Sequence, residues 1–477
     1  MVSDWVVEEL ESTDVGDKRL NDRLREVLSM MAATPSKSIP ASANGGHNET
    51  TAAYRLFDND RMGFENILEP HIDSTYKRLS QEEVAILGHD TSELDLTRPK
   101  VQVEGAGPLD GNARFGELLH PLVAFTPNGT PLGTLCAELW TRESGPSKAK
   151  DRKQLPIEEK ESLRWLETHR HAQEIAEQYP ETKIVAVADS EADIFEVIDA
   201  DKDSPENFQW IIRGCYDRAT IEDDDPESIL LREKLSQSDV RYTKTIAIRG
   251  REKKLDCDKR ARNQPRESRQ CEVEVRAQSV TLRSPHRPDR KLSDTTVNVV
   301  WAHEINAPDG DVPVDWMLLT NMPVSTKEEI ELILSYYCIR WMIEIFFRTL
   351  KSGARIEARR FETLERFERC LAVSMIVAWR TLYTTRIGRE FPDVSCESVF
   401  SANEWQPVYQ LVMKEDPPAE PPKLRIMIRL IARLGGYIDR ARDDEPGPDT
   451  TMRGMERLHD ISACWISFGP KSQPLVT

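Results

Sequence analysis

The sequence lacks any Cys-x-x-Cys pair, and its eight cysteines are scattered along 477 residues. This spacing excludes a cysteine-based zinc site and offers no disulfide framework. Long hydrophobic runs are also missing, because the longest, CLAVSMIVAW at 370–379, is far short of the ~20 residues needed to span a bilayer. The amino terminus, MVSDWVVEELEST, is acidic and lacks the basic-then-apolar order of a signal peptide. We therefore expect a reduced cytoplasmic protein with no membrane partner.

Positive charge is scarce, since 64 Lys and Arg stand against 82 Asp and Glu for a net charge of −18. This balance argues against nucleic acid as a partner, because phosphate binding needs cations. The shortage is uneven, however. Residues 241–269 hold eleven Lys and Arg against four Asp and Glu, and residues 340–369 hold eight against five. Each basic run is explained equally well by a solvated surface and by a local DNA-binding face.

The hydrophobic pattern predicts helices at both ends of the chain and strands between them. Residues 1–75 are typical of helices, with Asn48 as a helix N-cap. Strand patterns begin near residue 83, and 120–142 predicts a hairpin that turns at Asn128-Gly129. Residues 205–325 are mostly β, and helical periodicity returns afterwards. The fold class is therefore α/β, an α/β core that carries a β-strand insertion between two helical regions.

Two apolar strands each end in an acid, Asp90 in ILGHD and Asp189 in VAVAD. The carboxyl ends of buried strands form the sheet edge where sites of α/β proteins commonly lie. A turn or helix N-cap is the competing explanation, above all for Asp189, which precedes SEADIF. Asp193 falls four residues later and is expected to be structural.

The stretch YYCIRWMIEIFFRTLKSG at 336–353 predicts an apolar helix with one polar stripe. At 100° per residue, its charged residues and one tyrosine share an arc of about 80°: Tyr337, Arg340, Glu344, Arg348 and Lys351. Glu344 either forms an exposed i,i+4 ion pair or joins Asp90 and Asp189. Three converging carboxylates repel one another, and two Mg²⁺ or Mn²⁺ ions remove that conflict. The neighbouring bases are then suited to phosphate oxygens.

Four blocks of the sequence, in order, resemble the bacterial cut-and-paste DDE transposases of the insertion-sequence-four family, and its transposon-five group most of all. They are GHDTSELDL, VAVADSEADIF, DWMLLTNMPV and YCIRWMIEIFFRTLKSGARIEARRFETLERFER. The last block carries the family signature of Tyr, Arg, Glu and Lys at Tyr337, Arg340, Glu344 and Lys351, with every spacing intact. Weaker similarity at AYRLF and IARLGGYID extends the resemblance over nearly the whole chain.

The resemblance implies a ribonuclease-H-like catalytic core in which Asp90, Asp189 and Glu344 bind two Mg²⁺ ions, with Mn²⁺ as a substitute. It implies that one strand is nicked at a transposon end, that the freed 3′-OH forms a hairpin, and that the reopened end joins target DNA. The matching DNA-binding positions are the signature residues, two tryptophans and one arginine: Tyr337, Arg340, Lys351, Trp316, Trp341 and Arg360. Core packing is the alternative for both tryptophans, and the adjacent Arg359 is an alternative to Arg360.

Three parts follow from the resemblance: an end-recognition domain at 1–75, a catalytic domain at 76–380 and a dimerisation domain at 381–477. Double-stranded DNA and a second copy of the chain are the expected partners, in a bacterial cytoplasm at the nucleoid. Arg23, Arg25 and Arg55 are weak candidates for end contacts. Met452 stands where the related transposase has a tryptophan, which puts the packing of the tail in question.

Two other functions remain open from the sequence. A non-catalytic inhibitor of transposition or a domesticated descendant needs DNA binding and dimerisation alone. A structure-selective nuclease needs the three acids without strand transfer. The intact set of Asp90, Asp189 and Glu344 favours an active transposase, because a binding protein has no use for all three. The role of residues 241–269 is not assigned.

Overall fold

The computed structural model describes residues 2–111, 113–143, 155–222, 225–248, 250, 267–287 and 290–469. The chain divides into two compact units. The first unit comprises Met1–Glu82, Asp90–Ser147 and Met342–Thr477, and the second comprises Glu83–His89 and Lys148–Trp341. Within the described ranges, no helix is both long and apolar enough to cross a membrane.

The first unit opens with five helices: Asp4–Glu9, Lys18–Ala33, Ile39–Ser42, His47–Phe57 and Phe64–Leu79. The second of them begins where the Asp17 side chain accepts a hydrogen bond from the backbone N–H of Arg19, which satisfies one of the unpaired donors of a helix start. The prediction of Asn48 as an N-cap is wrong. The helix begins at His47 with Gly46 as its N-cap, so Asn48 lies inside the first turn.

The described strands of the first unit include the predicted hairpin. Numbering strands along the whole chain, with Val84–His89 as β1, these are β2 (Ser92–Asp95), β3 (Gly107–Pro108), β4 (Phe115–Phe125) and β5 (Pro131–Trp140). Strands β4 and β5 pair antiparallel, and β2 and β3 pair with β4. The turn at Asn128-Gly129 is confirmed, and Gly129 has a φ of 81°, which a residue with a Cβ adopts only with strain.

Long helices complete the first unit: Leu364–Glu390, Ala402–Met413, Leu424–Leu434 and Pro448–Phe468. Most residues of the first are buried, so it is a core helix. The last two approach so closely that a Cβ on Gly435 would collide with the backbone of Thr450. A Cβ on Gly454 would likewise collide with Ile431. These two glycines therefore set the spacing of the carboxyl-terminal helices.

The second unit is a mixed sheet. Strands β1, β6 (Lys183–Ala188) and β7 (Phe208–Arg213) are parallel. The sheet continues antiparallel through β13 (Asp315–Thr320), β12 (Thr295–Ile305) and β11 (Arg269–Leu282). Its other described strands are β8 (Ala219–Glu222), β9 (Asp225–Leu230) and β10 (Val240–Ile248). The α-helices in its described residues are Leu163–Gln178, Phe195–Asp199, Leu231–Ser236 and Lys327–Ile339. The predicted α/β class with a β insertion is confirmed.

A buried pair of carboxyl groups joins β4 to the core helix of the first unit. Glu117 on β4 is 1% exposed and forms a side-chain hydrogen bond with Glu368. Burial, followed by the charge and hydrogen bond of Glu368, raises the pKa of Glu117 to about 9. Burial also raises the pKa of Glu368. At neutral pH Glu117 therefore keeps its proton and donates a hydrogen bond to the carboxylate of Glu368.

This pair makes stability depend on pH. Because the folded pKa of Glu117 lies above its unfolded value, the stabilisation is complete below about pH 4.5 and declines as pH rises towards 9. At pH 8 we expect the free energy of unfolding of Glu117→Gln, measured by urea denaturation, to exceed that of the wild type by on the order of 2–4 kcal/mol. At pH 4 the two proteins should be alike. Glu365→Gln, on a side chain 77% exposed in the same helix, is the control, and equal stabilities at pH 8 would contradict the shared proton.

Candidate active site

The first two acids follow neighbouring strands. Paired positions of the parallel strands β1 and β6 are 99 residues apart, as Val84 with Lys183, and the same interval separates Asp90 from Asp189. Both acids are half-buried. In each, Oδ1 accepts a backbone N–H bond at 2.8 Å, from Thr91 for Asp90 and from Glu191 for Asp189.

Asp189 also caps a short 3₁₀ turn, Ser190–Ala192. The capping interpretation of Asp189 is thus correct as far as one oxygen is concerned. An acid that caps through Oδ1 keeps Oδ2 as a further acceptor, so the cap does not exclude a second role.

Asp193 is structural, as predicted. Its side chain is 0% exposed and forms an ion pair with Arg218. It also accepts the backbone N–H bonds of Cys215 at 2.7 Å and Tyr216 at 2.9 Å. This buried carboxylate fixes the loop that follows β7 beside the turn of Asp189.

Glu344 is half-buried on the helix Trp341–Arg348. The prediction of one uninterrupted helix up to residue 353 is wrong in two places. The preceding helix ends at Ile339, and a π-turn occupies Thr349–Gly353. There the N–H of Ala354 bonds the carbonyl of Thr349 at 2.8 Å, and such i→i+5 bonding unwinds the chain below 100° per residue.

Lys351 lies in this π-turn, so the angle of 100° per residue used to place it does not apply there. Its Nζ donates to the backbone carbonyl of Glu93 and lies 3.8 Å from the carboxylate of Glu357. Burial lowers the pKa of Lys351, and the nearby carboxylates of Glu357 and Glu93 oppose that effect. The ammonium group is held by strand β2 and the segment that follows the π-turn.

The donor set fits divalent cations of the Mg²⁺ type, since carboxylate oxygens are the hard ligands these ions prefer. In the described part of the chain, however, no group of three or more His, Cys, Asp or Glu side chains is arranged to hold a metal ion. Asp90 and Glu344 belong to the first unit, whereas Asp189 belongs to the second. The convergence of the three acids stays a prediction.

Aromatic and basic side chains cluster around Tyr337. The rings of Trp316 and Tyr337 meet edge-on, with centroids 5.6 Å apart. The guanidinium of Arg340 lies 5.9 Å from the Tyr337 ring and 6.0 Å from that of Trp341. Burial raises the pKa of Tyr337, and the charges of Arg340, Arg213 and Asp189 also act on it. The hydroxyl therefore stays protonated and can donate a hydrogen bond.

The two tryptophans differ in exposure. Trp341 is 57% exposed, so core packing does not account for it. Trp316 is half-buried on β13 opposite Ala302, and packing against Tyr337 accounts for part of its surface. A Trp with an open face offers a stacking surface for a nucleobase.

Arg213 is a candidate site residue that the sequence pattern did not identify. It is the last residue of β7, donates to the backbone carbonyl of Asp315 at 3.2 Å and acts electrostatically on Tyr337. The signal was present, since a cation at the carboxyl end of a third parallel strand lies at the same sheet edge as the two acids.

The structure distinguishes Arg359 from Arg360. Arg359 is 6% exposed and donates to the backbone carbonyls of Lys37, Pro35 and Ala354. Arg360 is exposed. The alternative that Arg359 meets DNA is therefore disfavoured, because its side chain is buried and both terminal nitrogens of its guanidinium donate inside the protein.

An open groove lies between the helices Lys18–Ala33 and His47–Phe57 of the first unit. Its lining includes four arginines: Arg19, Arg23, Arg55 and Arg61. Two of the three weak candidates therefore line one groove. The third, Arg25, donates to the carbonyl of Leu10 at 3.0 Å and serves the fold. Most of the basic segment 241–269 lies outside the described residues, namely 249 and 251–266.

Family models match three parts of the chain. "Transposase DNA-binding" matches residues 2–62, "Transposase DDE domain" matches 167–379, and "Transposase Tn5 dimerisation domain" matches 376–463. The second match agrees with the predicted ribonuclease-H-like core. A solved structure, "Cryo-EM structure of piggyBac transposase synaptic complex with hairpin DNA (SNHP)", is similar at 7% identity and a TM-score of 0.36, over 100% of this chain and 81% of that one. That likeness is too weak to carry an argument. The first match indicates DNA as a partner, and the third indicates a second copy of the chain. The three matches together place this chain in the family of Tn5-like DDE transposases.

Proposed function

We propose that this chain cuts DNA at transposon ends through a hairpin intermediate and joins the 3′-OH ends to target DNA. The observation that carries the proposal is the register of β1 and β6, because its 99-residue offset equals the separation of Asp90 and Asp189. Two acids that directly follow adjacent parallel strands, at the same offset as the strand register, supply two of the three carboxylates of a DDE site. Glu344 supplies the third.

Asp90, Asp189 and Glu344 are the residues that hold two Mg²⁺ ions, or Mn²⁺ in their place. When bound, this cofactor supplies Lewis-acid stabilisation of the charge that develops on the attacking and leaving oxygens of a phosphodiester. The backbone N–H bonds to Asp90 and Asp189 hold each carboxylate in one orientation, which lowers the cost of assembling the site.

The aromatic and basic residues bind and bend the DNA end. The Tyr337 hydroxyl donates a hydrogen bond to a phosphate oxygen, and Arg340 and Lys351 contribute positive charge. Trp341 and Trp316 receive a base that leaves the stack when the backbone bends into a hairpin. Tyr337 and Arg340 are 5% and 9% exposed, so phosphate contact uses only the small accessible part of each side chain.

The remaining parts bring two ends together. In this proposal residues 1–75 recognise the transposon end, 76–380 form the catalytic domain, and 381–477 form the dimer contact. The arginine-lined groove supports the first assignment, because four cations along one groove suit the phosphates of a duplex. Met452 is 5% exposed and packed near Gly353, so a methionine fills the place where the related transposase has a larger side chain.

Trp341→Ala should impair hairpin formation more than first-strand nicking. A base stacked on tryptophan gains about 1–3 kcal/mol, so hairpin formation should slow by about 5- to 150-fold. Nicking should change little, because the base leaves the stack after the first cut. Denaturing gels with strand-specific labels measure the two steps separately.

Trp341→Phe is the matched control, since phenylalanine retains an aromatic face at the same exposed position. It should restore most of the hairpin yield. Equal slowing of nicking and hairpin formation by Trp341→Ala would mean that this side chain only supports the fold or general DNA binding.

The function itself is tested with the purified full chain, Mg²⁺ and a duplex that ends in the short inverted repeats flanking the reading frame. Hairpin-capped ends, followed by joining to a plasmid target, are expected. DNA binding without cleavage would contradict the proposal and favour an inhibitor. Cleavage without hairpins or joining would also contradict the proposal and would favour a nuclease that lacks strand transfer.

A further inference from the structure

The guanidinium of one arginine of the first unit lies against the backbone that leads into a second arginine, distant in sequence. Arg98, in the loop after β2, donates from its guanidinium to the backbone carbonyl of Arg359 at 2.8 Å. That carbonyl immediately precedes Arg360. The positive charge of Arg360 lies close enough to lower the pKa of Arg98, second to the effect of burial. Arg98 is half-buried and Arg360 is exposed.

The carboxylates nearest to this pair are engaged elsewhere. Asp95 also acts on Arg98, but it accepts from the guanidinium of Arg114 at 3.0 Å. Glu357 accepts the backbone N–H of Asp95 at 2.9 Å and lies 3.8 Å from Lys351. Among the described residues, neither Arg98 nor Arg360 forms an ion pair with a carboxylate. The two like charges are thus compensated only by the weaker effect of Asp95 on Arg98.

The backbone under the pair is held firmly. The three carbonyl bonds of buried Arg359 tie the segment to residues 35–37 and 354. The N–H of Glu104 donates to the carbonyl of Glu362, and the N–H of Leu364 donates to that of Glu104. Hydrogen bonds therefore connect the loop of Arg98 to the segment of Arg360 both before and after Arg360. The repulsion between the two positive charges therefore persists in the folded state, and a bound anion would reduce it.

We propose that Arg98 and Arg360 together form a binding site for one phosphate group of the DNA backbone, with Arg359 as the positioning residue beneath them. This inference rests on the proposed function and assigns Arg98 to DNA binding. A guanidinium fork suits the oxygens of a phosphodiester, and the nearby charge of Arg360 adds to that of Arg98. The contact carries no base information, so it strengthens binding to any duplex.

The test measures the salt dependence of binding of the full chain to a 30-bp duplex of arbitrary sequence, the length being a choice of about three helical turns. Arg98→Gln is the informative variant, because glutamine retains a donor for the Arg359 carbonyl but loses the charge. The slope of log K against log salt should fall by about 0.9 in magnitude, as for one lost phosphate contact. Affinity near 0.1 M salt should fall about tenfold.

Three further variants complete the test. Arg98→Lys should restore the slope, and Arg360→Gln should lower it by the same amount as Arg98→Gln. The double variant should lose no more than one contact, because both residues hold the same phosphate. Arg442→Gln, at another exposed position, should leave the slope unchanged. An unchanged slope in a folded Arg98→Gln protein overturns the inference, whereas failure of the wild type to bind any duplex overturns the proposed function instead.

Discussion

Glu344→Gln protein is expected to bind transposon-end DNA normally and to cleave it on the order of 10³-fold more slowly or worse. The substitution retains the shape of the side chain but replaces a charged oxygen ligand by a neutral amide. A half-buried position on the helix Trp341–Arg348 leaves the fold tolerant of this nearly isosteric change. Single-turnover cleavage in Mg²⁺ and a gel-shift assay in Ca²⁺ measure the two properties.

Glu362→Gln is the matched control, since it makes the same chemical change at a side chain that is 91% exposed. Its cleavage rate should stay within about twofold, because an exposed i,i+4 ion pair contributes little. Retained cleavage by Glu344→Gln would refute the metal-holding role. Loss of DNA binding together with cleavage would instead assign Glu344 to the fold.

Asp193→Ala should be the most destabilising single substitution near the site. It leaves the Arg218 guanidinium, whose side chain is 13% exposed, without its carboxylate, and it unties the backbone N–H groups of Cys215 and Tyr216. Removing one partner of a buried ion pair costs about 3–5 kcal/mol. Urea-induced unfolding followed by circular dichroism measures the loss.

A double-mutant cycle separates the ion pair from general damage. Asp193→Ala with Arg218→Ala should be less destabilised than the sum of the two single variants, because the double variant has no unpaired buried charge. Asp203→Ala, at an exposed position of the following turn, should shift stability by less than about 0.5 kcal/mol. Additive effects of the two single substitutions would contradict the coupling.

Local signals predicted most of the elements. Strands β1 and β6 were found because four or more apolar residues end at an acid, and the β4–β5 hairpin because Asn-Gly marks a tight turn. The strands of the β insertion were found for the same reason. Such patterns depend on neighbours in sequence, so they survive without knowledge of the fold.

The prediction failed where backbone geometry departs from a regular helix. The π-turn at Thr349–Gly353 changes the angular position that a constant 100° per residue assigns to Lys351. The N-cap shifted from Asn48 to Gly46 because side-chain preference for a cap is worth only about 1 kcal/mol. Differences of that size are decided by the rest of the fold.

The sequence by itself determined the chemistry available to this protein: three acids, the Tyr–Arg–Glu–Lys spacing, and the order of helices and strands around them. Only the tertiary structure decided which of two adjacent arginines is available to bind DNA, because Arg359 donates its hydrogen bonds to the carbonyls of Lys37 and Pro35, which are distant in sequence. It also decided that Arg98 stands next to Arg360. Burial and long-range hydrogen bonds depend on where the whole chain has folded, and no local pattern of residues contains that information.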